Sequence, residues 1–288
     1  MRIISDDVKN IETYILNTEQ QILQRANTKN VLQIGKETTK GLGAGADESV
    51  GEKAALESEE DIKNILKDTD MVFLTAGMGG GTGTGAIPVV ARIAKEMGIL
   101  TVGIVTKPFS FEGRKRSCRA ELGIEKLRKN VDSLIVVLNN NLLNVDRNIT
   151  IENAFELADG ILKQGIESIT DLITSVGEIN IDFADIRTVF EYNGKGYMGI
   201  GKASGNNRVI DAVNQAIENP LTENKIDKAK GIIFNITGGE TLGLSEVYEA
   251  TNIINDKIDS NATILFGTVI DKDMGDEVSV TVIATGIE

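Results

Sequence analysis

"MVFLTAGMGGGTGTGAIPVVARIAKEMG", Met71 to Gly98, runs an apolar segment, a glycine-crowded segment and an amphipathic segment together without a break. Within it, the nine positions from Gly77 to Gly85 hold six glycines and two threonines. "MVFLTA" (Met71–Ala76) reads as a buried strand and "AIPVVARIAKEMG" (Ala86–Gly98) as a helix. Glycine costs roughly 0.5–1 kcal/mol against alanine inside a regular element, so this density needs a reason. A loop between strand and helix lies at the C-terminal edge of a parallel sheet, where doubly wound folds bind ligands. Glycines let the backbone approach an oxygen-rich ligand and turn N–H groups toward it, and the following helix adds the positive end of its dipole. Thr82 and Thr84 offer hydroxyls to phosphate oxygens. The pattern is not a Walker A loop, because no Lys-Ser/Thr follows it, nor a plain dinucleotide fingerprint.

Outward from this unit, short apolar runs alternate with amphipathic ones. "TYIL" (Thr13–Leu16), "LTVGIV" (Leu100–Val105) and "SLIVVL" (Ser133–Leu138) read as strands. Helical spacing recurs at Ile62–Leu66, Ala86–Met97 and Cys118–Lys129. Alternating strands and helices predict a parallel sheet covered on both faces. From Thr150, an N-cap residue type, apolar residues recur at helical spacing through Ile151, Phe155, Ala158, Leu162, Ile166, Ile169 and Ile173, which predicts one long helix ending near Gly177. Beyond it, "GIIFNITG" (Gly231–Gly238), "ATILFGTVI" (Ala262–Ile270) and "EVSVTVIATG" (Glu277–Gly286) read as strands, with a helix at Leu244–Ile258. The expected fold is α/β: a Rossmann-like parallel-sheet domain over 1–149, a long central helix over 150–178 and a smaller α/β domain over 179–288.

Composition narrows the chemistry. The 288 residues are 41% hydrophobic and 25% charged, as in a globular protein, and carry a formal net charge of -13. That charge argues against nucleic acid or an anionic membrane as main partner, while a nucleotide held by backbone N–H groups remains compatible. There is no histidine and one cysteine, Cys118. Zinc sites, Ser-His-Asp and Cys-His triads and internal disulfides are thereby excluded. Catalysis must come from carboxylates, amides, hydroxyls, Lys/Arg, backbone dipoles or a hard cation. No run reaches 18 apolar residues and no signal-peptide layout opens the chain, which predicts a cytosolic protein.

"GGGTGTG" resembles the signature of the tubulin/FtsZ family of GTPases, and the chain is more similar to the FtsZ branch, the bacterial cell-division GTPases. Four further stretches resemble FtsZ in the same order: "GLGAGADESVGEKAA" (Gly41–Ala55), "VTKPFSFEGRKR" (Val105–Arg116), "NAFELADGIL" (Asn153–Leu162) and "INIDFADIRTV" (Ile179–Val189). The resemblance implies that Gly77 and Gly79, Gly80, Gly81, Thr82, Gly83 and Thr84 cradle the phosphates of GTP or GDP. It implies that Ala44, Gly45 and Ala46 line the γ-phosphate side, and that the segment carrying Thr106, Glu112 and Arg116 meets the ribose and phosphate edge. Phe155 would stack on guanine, with Asp159 and Asn139 bonding its edge. A carboxylate at Asp159 can accept both N1–H and the exocyclic amine of guanine, which adenine cannot offer. By themselves Phe155 also reads as a core residue and Glu112–Arg116 as a solvated charge pair.

Asn180, Asp182 and Asp185 form a short acidic cluster whose plain interpretation is a helix N-cap with a first-turn acid. The resemblance implies a different role: they enter the neighbouring subunit's site and orient water and a cation, Mg²⁺ or alternatively K⁺, for attack on the γ-phosphate. No protein metal site is expected. Such a head-to-tail contact cannot close and builds a filament. Implied partners are further copies of this chain and other division-ring proteins, at mid-cell in the cytoplasm, without direct nucleic-acid or membrane contact. In the family a first strand, a "GGAG"-like loop and a helix come before the material that "MRIISDDVKNIETYIL" matches, and a linker and terminal peptide close the chain. The resemblance therefore implies a chain truncated at its N-terminus, with the domain over 1–149 incomplete there, and lacking the C-terminal tail. Glu19 and Asn140 stand where the family usually has Asp and an acid. Two other functions fit parts of the pattern: a non-hydrolysing relative that co-assembles with full-length filaments, and a dinucleotide-dependent enzyme, against which the absence of histidine counts.

Overall fold

The computed structural model describes residues 11–26, 28–145, 149–174, 179 and 181–287. The chain divides into two compact units, Met1–Glu167 and Ser168–Glu288. In the first, β1 (Ile15–Asn17), α1 (Gln20–Gln24), β2 (Val31–Gln33), α2 (Lys36–Thr39), α3 (Glu48–Glu57) and α4 (Glu59–Ile65) lead to β3 (Met71–Gly77) and α5 (Thr82–Glu96). Then come β4 (Leu100–Lys107), α6 (Arg114–Arg128), β5 (Ser133–Leu138), α7 (Leu142–Val145) and the long α8 (Ile151–Thr174), within which the division between the units falls.

Strands β3, β4 and β5 are parallel and adjacent, with Met71 opposite Leu100 and Val102 opposite Ser133. The middle strand β4 is buried at every residue but Lys107, which is why it reads as a continuous apolar run. Helices α3 to α6 cover this sheet, and Ile62, Val90, Ile93, Ile124, Leu127 and Val136 meet in one core. Strands β1 and β2 form a separate parallel pair, Ile15 opposite Val31. Among the described residues, no strand pairs with the outer edge of β1 or of β3.

The second unit holds α9 (Phe183–Phe190), β6 (Lys195–Ala203), α10 (Arg208–Ile217), β7 (Gly231–Gly238), α11 (Leu244–Lys257), β8 (Thr263–Ile270) and β9 (Val278–Ile287). Its strand order is β6-β9-β7-β8, with β9 antiparallel to both neighbours and β7 parallel to β8. Val209, Val213, Phe234, Ile254, Val280 and Val282 fill its core. The architecture is α/β, a parallel sheet with helices followed by a second, mixed-sheet unit.

One expectation needs correction, and one strand went unread. Helix α5 starts at Thr82, not near Ala86, with its first backbone bond from Gly85 N–H to Gly81 O. The glycines do not stop the helix because α3 packs against it at backbone distance: a Cβ on Gly85 would lie 2.0 Å from the Glu48 carbonyl oxygen. Strand β6 escaped the pattern search for a related reason. Its "GYMGIGKA" is interrupted by glycine, and a Cβ on Gly199 would stand 1.7 Å from the Ala216 carbonyl of α10. Helix α8 is described over Ile151–Thr174, and Gly177, its expected end, lies outside the described residues. Along α8 the buried stripe is Ala154, Ala158, Leu162, Ile166, Ile169 and Leu172, while Ile151 is exposed.

Candidate nucleotide-binding site

Parallel strands bring the loops after β1, β3, β4 and β5 to one edge of the first unit. Thr18, directly after β1, is fully buried, and its hydroxyl lies 2.6 Å from that of Thr82 at the start of α5. In the glycine loop each residue has its own reason. Gly79 sits at φ 95, left-handed backbone that favours glycine, and a Cβ there would lie 2.6 Å from the Arg116 carbonyl oxygen. A Cβ on Gly81 would lie 2.8 Å from that of Ala44 and 2.9 Å from the Asp47 nitrogen. Gly80 alone of these three faces open space, with nothing within 4 Å of where its Cβ would stand. The first-turn N–H groups of α5 have no acceptor inside the helix, so Thr82, Gly83 and Thr84 present donors on the same side.

Both threonine hydroxyls are engaged by other groups of the chain. Thr82 meets Thr18, and Thr84, 1% exposed, accepts the Gly79 N–H at 2.8 Å. Gly77 is the last residue of β3 and pairs with Thr106, whose carbonyl accepts the Met78 N–H at 2.9 Å. The Ala44–Ala46 turn abuts Gly81; Gly45 and Ala46 are both left-handed, at φ 57 and φ 58. For Ala46 that conformation costs about 1–2 kcal/mol. Asp47 then caps α3 by accepting the Ser49 N–H at 2.8 Å, and these bonds hold its carboxyl below its ordinary pKa.

From the loop a chain of contacts leads to the aromatic side of the site. Arg116, whose backbone abuts Gly79, pairs through Nε with Glu112 Oε2 at 3.0 Å. Glu112 Oε1 accepts the Phe109 N–H at 2.9 Å. The buried Phe109 ring stacks on Phe111 and meets Phe155 of α8 edge-on, with centroids 5.2 Å apart. Asp159 stands one turn after Phe155 on the same helix. Asn139, at the end of β5, is buried, and its Oδ1 has no hydrogen-bond partner among the described residues. Asn140 instead accepts the Ser110 N–H at 2.9 Å, which ties the β5 end to the β4–α6 loop. Thr18 and Phe109 were not picked out from the sequence; Phe109 lay inside a quoted stretch but gave no polar signal.

Asp182 and Asp185 belong to the second unit. Asp182 caps α9 by accepting the Asp185 N–H at 2.8 Å, and both are exposed. Asn180 lies outside the described residues. Among the described residues, no group of three or more Asp, Glu, Cys or His is placed to hold a metal ion. None of their helices is long and apolar enough to cross a membrane.

Residues 4–147 match the GTPase-domain model of the tubulin/FtsZ family, and residues 194–288 match the FtsZ C-terminal domain model. A structure of FtsZ from M. jannaschii described as an empty dimer superposes with a TM-score of 0.92 at 40% identity, over 97% of this chain and 82% of that one. The chain belongs to the tubulin/FtsZ family. The W319Y mutant of the same FtsZ agrees at TM-score 0.91 and 41% identity, over 96% of this chain and 83% of that one. GDP-bound CetZ1 from Haloferax volcanii shares the fold at TM-score 0.80 and 19% identity, over 96% and 84%. Membership of this GTPase family sets aside the dinucleotide-dependent enzyme and makes guanine nucleotide the ligand class of the site. The geometry fits such a ligand: Gly80 and the start of α5 offer open donors, and Asn139 offers a buried unpaired acceptor.

Proposed function

We propose that the chain binds and hydrolyses GTP and assembles head-to-tail into filaments. The observation that carries this is the continuity of the first unit's edge, from Gly80, which faces open space, and the start of α5 through Arg116, Glu112 and Phe109 to Phe155. That span pairs a polyphosphate seat with an aromatic seat for a base. Backbone donors from Gly80 to Thr84 hold the phosphates, and Ala44, Gly45 and Ala46 close the γ-phosphate side. Phe155 takes the face of guanine, and Asp159 and Asn139 take its edge. A hard cation would draw its oxygens chiefly from the phosphates.

Asp182 and Asp185, exposed on the second unit, serve the nucleotide of the next subunit, where they orient water. Positioning and electrostatics supply the acceleration, without a covalent intermediate. Self-association is supported by the FtsZ relative described as a dimer. Filaments of this kind would form the division ring together with other division proteins. The test combines calorimetry, phosphate release and sedimentation. GTP should bind in preference to ATP and drive pelleting, and Asp185→Ala should keep GTP affinity but lose most turnover. Loss of GTP affinity in isolated Asp185→Ala subunits would place that residue in its own subunit's site and refute the shared one.

A further inference from the structure

Both backbone groups of Gly79 are taken. Its N–H donates to Thr84 Oγ1 at 2.8 Å, and its carbonyl accepts from Arg119 Nε at 3.0 Å. Arg119 lies on α6, one turn past Arg116, whose carbonyl abuts Gly79, and one turn before Gly123, where a Cβ would come 2.4 Å from the Thr84 methyl. Helix α6 therefore backs the glycine loop over three successive turns, and Arg119 supplies the side-chain bond to its backbone.

The peptide joining Gly79 to Gly80 is planar and trans, so its C=O and N–H point in opposite directions. Anchoring the Gly79 oxygen on α6 aims the Gly80 N–H away from α6, at the residue whose surroundings are open. A guanidinium on the carbonyl also polarises the peptide and strengthens the opposite N–H as a donor. The first turn of α6 carries Arg114, Lys115 and Arg116 and no acid, against the preference of a helix N-terminus for negative charge. A cationic turn beside the loop suits a polyanionic ligand.

We propose that Arg119 is a positioning residue for the phosphates: it holds the Gly79–Gly80 peptide so that the Gly80 N–H donates to a phosphate oxygen. This rests on the site being a GTP site.

The test uses the full chain and three substitutions. In Arg119→Gln, Nε2 stands where Arg Nε stood, so the donor stays and the charge goes. Arg119→Met has similar length and no donor. GTP and GDP affinity should fall about tenfold in Arg119→Met and stay within about threefold of wild type in Arg119→Gln, the scale of one hydrogen bond. Guanosine affinity, which involves no phosphate, should be unchanged in both. Equal losses in Gln and Met would assign the effect to charge, and a matching loss of guanosine affinity would assign it to general structure; either overturns the proposal. Should Arg119→Met not fold, Arg119→Lys takes its place, with charge kept and the donor one atom farther out; wild-type GTP affinity there overturns the proposal as well. Failure of the wild-type chain itself to bind GTP refutes the site, whereas wild-type binding with an unaffected Arg119→Met refutes only the role of Arg119.

Discussion

Thr84 is buried, and its hydroxyl is the acceptor for the Gly79 N–H. Thr84→Val keeps the shape and removes the acceptor, leaving a buried donor unpaired. The expected loss is about 1–3 kcal/mol of stability, read as a lower urea midpoint with an unchanged slope. An unchanged midpoint would mean the loop rearranges to satisfy Gly79 elsewhere. At the other end of the site, Asp159→Ala should weaken GTP binding by about 1.5–3 kcal/mol for each charged hydrogen bond lost, with ATP affinity unmoved. Equal GTP affinity in wild type and variant, by calorimetry, would remove Asp159 from the base seat. These residues were open to sequence reasoning as types with a fitting chemistry. That Thr84 braces the loop was not, because a hydroxyl's partner depends on the turn that brings Gly79 back onto it.

Among elements, α3 and α5 meet at backbone distance, and Gly85 makes that possible. Gly85→Ala would place a methyl 2.0 Å from the Glu48 carbonyl oxygen, too close for a rotamer change to relieve. Moving α3 away should cost at least about 1–3 kcal/mol, as overpacking does, and loosen the Ala44–Asp47 turn beside Gly81. Hydrogen exchange should show faster exchange in α3 and at Asp47; unchanged protection there would contradict this packing. Strands β4 and β5 announced themselves because burial on both faces makes an unbroken apolar run, and β3, only partly buried, still carries the apolar run "MVFLTA". Strand β2 is three residues long, too short for any period to register, whereas β1 was caught in part by "TYIL". Strand β6 hid behind glycines whose purpose is the approach of α10.

For the whole molecule, acid resistance should depend on one cluster in the second unit. Arg208, 5% exposed, makes a two-pronged pair with Glu246 of α11 at 2.8 and 2.9 Å, and bonds Asp276 at 2.9 Å before β9. The Arg208 bond, helped by the Gly243 N–H, holds the Glu246 carboxyl below its ordinary value of 4.5. A carboxyl whose pKa is lowered on folding adds stability above its unfolded value and loses it as pH falls through the folded one. Stability should therefore decline as pH drops below about 4.5, the ordinary Glu value. Arg208→Met should be less stable at pH 7 and show a shallower decline in acid, in urea titrations across the pH range. An identical acid decline in both proteins would show that other carboxyls carry it.

Family, α/β class and the candidate phosphate, base and acidic residues were all present in the sequence, because each rests on local features: period, glycine density and short motifs read in order. Tertiary structure alone decided how those residues divide their labour. Gly85 serves helix packing, Gly81 the neighbouring turn, and Gly80 stands open to a ligand. The bond between Gly79 and Arg119 spans 40 positions of chain. No period or motif encodes such a contact; it exists only once β3, α5 and α6 are packed, since it is made by the space between elements and not by the run of residues within one.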